Sequence, residues 1–128
     1  MKIEHIAIWT KDIERLKKFY ETYFEAVAGK KYINGKKQFQ SFFLTFSSGA
    51  RLEIMKRPDI KSRDKAPVEY YGYAHFAISV GSEQKVNELT EKLIQDGFKN
   101  PDGPRRTGDG YYESVILDPD GNRIEITI

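Results

Sequence analysis

The chain has 128 residues and a formal net charge of +2, from 21 basic and 19 acidic side chains. That length fits one domain and lets a fold hide about two thirds of the area its extended chain would expose. The absence of cysteine excludes disulfides, thiolate metal ligands and a cysteine nucleophile, and the balanced charge excludes a nucleic-acid footprint.

Residues 3–9 alternate, with Ile3, His5, Ala7 and Trp9 on one face and Glu4, Ile6 and Ile8 on the other, which predicts a strand. No apolar run here is long enough for a signal peptide or a membrane span, so the protein is expected to be soluble and cytoplasmic, with no membrane partner. Asp12 is placed to cap a helix whose Ile13, Leu16, Phe19, Tyr20, Tyr23 and Phe24 recur at helical spacing. After Gly29 the pattern reverts to strands. Asn34-Gly35 predicts a hairpin turn into 39–46, and Ser47-Ser48-Gly49 a turn into 51–55. Residues 57–72 are polar, include Pro58 and Pro67, and read as a linker.

From Tyr73 the same grammar begins again. A helix is predicted from about Ser82 to Asp96, with Val86, Leu89, Leu93 and Ile94 on one face and Gly97 ending it. Gly108-Asp109-Gly110 turns the chain into 111–117, and Asp118-Pro119-Asp120-Gly121-Asn122 turns it into the last strand. Strand, helix and three strands therefore occur twice, as module one (1–56), a linker (57–72) and module two (73–128). Lys30-Lys31, Lys36-Lys37 and Arg105-Arg106 are short basic pairs that read as solvated strand edges and loops. A small basic mouth for an anionic substrate is the alternative.

Each copy carries one histidine near its start and one glutamate in its last strand. The chain's two histidines are His5 and His75, followed by Glu53 after 48 residues and by Glu125 after 50. Leu52 and Ile54 flank Glu53, and Ile124 and Ile126 flank Glu125, so strand alternation aims each carboxylate away from the hydrophobic layer. His5 shares its face with Ala7, and His75 with Ala77 and Ser79. Taken singly, each residue has a plainer reading. Arg51 and Arg123 lie on the glutamates' faces and would pair with them, and a lone strand histidine is usually a satisfied core residue. Recurring together, the four suit one divalent ion such as Zn, Ni, Co, Mn or Fe.

The segment Ile116-Leu117-Asp118-Pro119-Asp120-Gly121-Asn122-Arg123-Ile124-Glu125-Ile126, with Tyr73-Ala74-His75-Phe76-Ala77-Ile78-Ser79-Val80 before it, resembles the vicinal oxygen chelate superfamily, which includes glyoxalase I, bleomycin resistance proteins and extradiol dioxygenases. The resemblance spans essentially the whole chain. It implies an α+β fold of two tandem βαβββ modules whose mixed sheets form a cup around the ion, with His5, Glu53, His75 and Glu125 as metal ligands. Keeping both glutamates leans towards glyoxalase I, whereas the dioxygenases use two histidines and one glutamate.

On that resemblance the expected activity is a metal-dependent lyase or isomerase. It would act on a small substrate with adjacent oxygens, with Glu53 or Glu125 moving a proton and Glu125 taken as the base. An iron-dependent dioxygenase and a non-enzymatic drug binder are the alternatives. Relatives that use glutathione tend to carry an arginine where Trp9 stands and an asparagine where Lys56 and Arg57 stand, which argues against that thiol here. Trp9, Phe42, Arg57, Tyr111 and Tyr112 are then expected to contact the substrate, the aromatics as a wall for a flatter molecule. Small members of the superfamily often build the site across a homodimer, and a homodimer is expected.

Overall fold

A computed structural model describes residues 1–61 and 72–128. The fold is α+β, and the chain divides into two compact units, Met1–Lys65 and Ala66–Ile128.

The first unit comprises β1 (His5–Trp9), α1 (Ile13–Phe24), β2 (Val27–Ala28), β3 (Tyr32–Asn34), β4 (Phe39–Thr45) and β5 (Arg51–Lys56). Asp12 caps α1 by accepting a hydrogen bond from the Arg15 amide at 3.0 Å, which satisfies one of the free donors of the first turn. The helix ends at Glu25, which takes a left-handed conformation (φ 54°). Two short strands, β2 and β3, both pair antiparallel with β4. They act as one interrupted strand, and the first piece precedes Gly29 rather than following it. The Asn34-Gly35 turn is longer than a two-residue hairpin: residues 35–38 lie between Asn34 and its partner Phe39, and Asn34 Oδ1 accepts from the Lys37 amide at 3.2 Å. The sheet order is β1-β5-β4-β2, with β1 and β5 parallel. Its covered face presents Phe42, Leu44, Leu52 and Ile54 to Ile13, Leu16, Phe19, Tyr20 and Phe24 of α1, all buried. Burying each such side chain is worth about 1.5–3 kcal/mol.

The second unit repeats the plan with β6 (Phe76–Ser79), α2 (Glu83–Gln95), β7 (Asp102–Arg106), β8 (Tyr112–Leu117) and β9 (Arg123–Thr127), in the order β6-β9-β8-β7 with β6 and β9 parallel. Ser82 caps α2 through the Lys85 amide at 3.2 Å. At the other end Gly97 (φ 90°) reverses the chain, and the Phe98 amide reaches the Leu93 carbonyl at 2.9 Å. Asp118 shapes the last turn: its Oδ1 accepts from the Asp120 and Asn122 amides, each at 2.9 Å, and its Oδ2 from the Asn122 side chain at 2.8 Å.

One sequence expectation changes in this unit. Ile94 is 48% exposed, because the next position along a helix turns about 100° away from the stripe of Val86, Thr90 and Leu93 that packs on the sheet. Thr90 takes its place, buried against Ser114 with their hydroxyls 2.5 Å apart. The strand β7 supplies the third strand that the repeat required; no apolar alternation marks its position, and it pairs as an edge with β8. Of the expected linker, residues 62–71 lie outside the described residues. Among the described residues no helix is long and apolar enough to cross a membrane.

Candidate functional site

In the first unit the sheet face opposite α1 carries His5, Ala7 and Trp9 from β1. In parallel register beside them stand Arg51, Glu53 and Met55 from β5. Glu53 lies between Ala7 on one side and Phe43 on the other. His5 is exposed, and its ring meets Phe43 edge-on at 5.4 Å. Its Nδ1 lies 2.5 Å from Glu4 Oε2, and Arg51 Nε donates to Glu4 Oε1 at 2.8 Å. That contact with His5, and then the one with Arg51, hold the Glu4 carboxyl below the usual range. Arg51 thus pairs with Glu4 and lies over the Phe43 ring at 4.1 Å. The expected Arg51–Glu53 pair does not form, and Glu53 makes no ion pair among the described residues.

The second unit has the same register. His75 stands immediately before β6, and Ala77 pairs with Glu125. Here the histidine and the glutamate meet, His75 Nε2 being 3.0 Å from Glu125 Oε2. Glu113 of β8 points to the same face, diagonal to Glu125. Burial, and next a hydrogen bond with Glu125, push the Glu113 carboxyl above the ordinary carboxylate range. Beyond it Arg105 lies 3.7 Å from Glu113 and 2.6 Å from Asp102. Arg105 holds the Asp102 carboxyl below its usual value. A row of polar groups therefore runs from His75 through Glu125 and Glu113 to Arg105 and Asp102. Sequence reasoning missed its last three members, although Glu113 shares the alternation of Val115 and Leu117, opposite to buried Ser114 and Ile116.

Nitrogen and oxygen donors of this kind match a borderline divalent ion. Among the described residues, no group of three or more His, Asp or Glu side chains is close enough together to hold a metal.

The expected substrate contacts separate by face. Trp9 is 37% exposed on the side of His5, meets Phe39 edge-on at 6.1 Å and has the Arg57 guanidinium over its ring at 5.3 Å. Arg57 Nε in turn donates to Asp59 Oδ1 at 2.5 Å. Phe42 is corrected: it is 6% exposed on the helix side, with Lys17 of α1 over its ring at 5.0 Å. Phe39 and Phe43 have the parity of the face opposite α1 instead. Tyr112, half-buried, has the parity of buried Ser114 and Ile116, and its hydroxyl donates to Asn87 of α2 at 2.8 Å. Tyr111 is 57% exposed in the turn before β8.

A family model described as the Glyoxalase/Bleomycin resistance protein/Dioxygenase superfamily matches residues 2–126. The chain is 26% identical over 137 residues to the uncharacterized protein YqjT of Bacillus subtilis (strain 168), covering 97% of this chain and 96% of that one. Among solved structures it is similar to the trypanothione-dependent glyoxalase I of Leishmania major, with a TM-score of 0.78 and 22% identity over 99% of this chain and 86% of that one. It is also similar to a glyoxalase family protein of Enterococcus faecalis, with a TM-score of 0.79 and 23% identity over 99% and 97%. At these identities the structural likenesses show the fold.

Proposed function

Because this chain belongs to the Glyoxalase/Bleomycin resistance protein/Dioxygenase superfamily, we propose that it is a metal-dependent lyase or isomerase of the glyoxalase kind. The observation that carries the reading is the register. A histidine heads the first strand of each unit, and a glutamate stands on the neighbouring last strand beside the alanine two residues on. His5, Glu53, His75 and Glu125 are proposed as one donor set for a divalent ion such as Zn, Ni, Co, Mn or Fe. The set would be drawn from one chain or from two copies in a homodimer. When bound, such an ion polarises a substrate oxygen and stabilises negative charge developing beside it.

The chain's own residues supply the proton chemistry. Glu125 is proposed as the base that moves a proton between adjacent carbons of a small substrate with neighbouring oxygens. Glu113, against Glu125, is placed to hold a proton within reach. His75 Nε2, 3.0 Å from Glu125, orients that carboxylate. Trp9 and Arg57 are proposed to hold the part of the substrate that does not react.

Elemental analysis of purified protein, followed by titration of the stripped protein with Zn, Ni and Co salts, tests the reading. About one ion per donor set is expected. Protein that neither carries nor takes up a divalent ion would end it.

A further inference from the structure

Around His5 the first unit closes a ring of contacts. Glu4 Oε2 lies 2.5 Å from His5 Nδ1. Arg51 holds the other carboxylate oxygen, its Nε donating to Oε1 at 2.8 Å and a terminal nitrogen donating to the same atom. The Arg51 amide also donates to the Glu4 carbonyl at 3.0 Å, so main chain and side chain join the same two residues. Arg51 then lies over the Phe43 ring at 4.1 Å, and Phe43 meets the His5 ring edge-on at 5.4 Å. In the second unit Ala74 precedes His75 as Glu4 precedes His5, so that position supplies no carboxylate. There the Nε2 of the histidine lies 3.0 Å from Glu125.

The contact with Glu4 places a proton. An ionised carboxylate only accepts hydrogen bonds, and a neutral imidazole carries one proton on one of its two nitrogens. With Nδ1 donating to Glu4, Nε2 keeps its lone pair, the form in which histidine ligates a metal. An exposed carboxylate is otherwise free to leave an imidazole, and the Glu4 side chain is 54% exposed. Two bonds from Arg51 to Oε1, with Arg51 itself seated on Phe43, restrict that freedom.

We propose that Glu4, anchored by Arg51, is a positioning residue that fixes His5 in the Nδ1–H tautomer and leaves Nε2 unprotonated as a donor. The inference rests on the proposed function only for the ion that Nε2 would take, since the tautomer is a property of the metal-free protein.

With two histidines in the chain, the tautomer is directly readable. Metal-free protein carrying isotope-labelled histidine is compared with E4Q and E4A by long-range proton–nitrogen spectra at about pH 8, above the ordinary imidazole value of about 6.5. H75A assigns the His5 pattern. The parent is expected to carry the His5 proton on Nδ1. In E4Q, Arg51 keeps the amide oxygen and the amide nitrogen faces Nδ1, which must then accept, so the proton is expected to move to Nε2. E4A imposes neither form and is expected to show an exchanging mixture. Both variants alter an exposed side chain, and an unchanged His75 pattern shows that the fold is kept. A parent His5 already protonated on Nε2, or a His5 pattern identical in all three proteins, would overturn the proposal.

Calorimetric titration with zinc gives the second reading. E4Q is expected to bind roughly 10–100-fold more weakly than the parent, and E4A to lose less. Zinc binding in E4Q as tight as in the parent overturns the positioning role alone. A parent that takes up no divalent ion ends the proposed function alone, and the spectra then decide what Glu4 does to His5.

Discussion

His75 Nε2 and Glu125 Oε2 lie 3.0 Å apart, whereas His5, at the equivalent register of the first unit, turns its Nδ1 to Glu4. The two units thus carry the same residue types in different arrangements. The second has its histidine and glutamate already adjacent, and the first holds its histidine through a neighbour that Arg51 anchors.

For metal affinity this difference has a measurable consequence. Replacing a proposed ligand, in H75A or E125A, is expected to weaken binding more than about a hundredfold, beyond the range typical of the outer groups that orient ligands. E4Q is expected to fall inside that range of about 10–100-fold. Absorption of the Co(II) form and calorimetric titration measure both, and parent-like affinity in H75A or E125A would contradict the assignment.

The hydroxyls of Thr90 and Ser114 form a buried pair, and Thr90 Oγ1 also donates to the Val86 carbonyl at 2.6 Å. T90V keeps the shape but strands the Ser114 hydroxyl, which is expected to cost about 1–3 kcal/mol in urea unfolding. The double variant T90V/S114A removes both polar groups and is expected to be less destabilised than T90V. A double variant that simply adds the two single losses would show that the pair is not coupled.

Gly103 is held by space as well as by conformation. At φ 76° a Cβ there would meet the Glu113 carbonyl oxygen at 2.6 Å and the Ser114 Cα at 2.8 Å. G103A is expected to cost about 2–4 kcal/mol from strain and overlap together, read by denaturant unfolding. G108A, where nothing lies within 4 Å and φ is not positive, is expected to be near neutral.

Asp102 supplies a pH test. Arg105 lowers its carboxyl below the ordinary 3.8, so the folded state favours the ionised form. The resulting stabilisation is present above that ordinary value and disappears as pH falls through the lower folded one. D102N is therefore expected to lower the melting temperature slightly at pH 7, by about a degree because the pair is exposed and solvent-screened. The gap should close in strong acid, and a gap that is constant with pH would show that the ion pair with Arg105 is not its source.

Much of the architecture was legible because local rules and global packing agree. Asp12 and Ser82 are caps, Gly97 is a stop, and Asp118 organises a turn, all from side chains acting within a few residues of themselves. Alternation placed Ile6 and Ile8 opposite His5, and Leu52 and Ile54 opposite Glu53. It could not place Phe42 against Phe43, since adjacent aromatics fit either face, and pairing of Phe42 with Ile54 and of Phe43 with Glu53 makes the choice. Nor could it find Asp102–Arg106, an edge strand whose polar residues lack an apolar rhythm. Glu113 was missed because its neighbour Glu125 lies on another strand, 12 residues along the chain.

By itself the sequence determined the doubled order of elements, the face on which each histidine and glutamate sits, and membership of the superfamily. These follow from period, capping and turn chemistry, which act over a few residues. Tertiary structure decided which groups touch: His75 with Glu125, Arg51 with Glu4 rather than Glu53, and Arg57 over Trp9. Strand register makes those choices, because it sets two distant stretches of chain side by side.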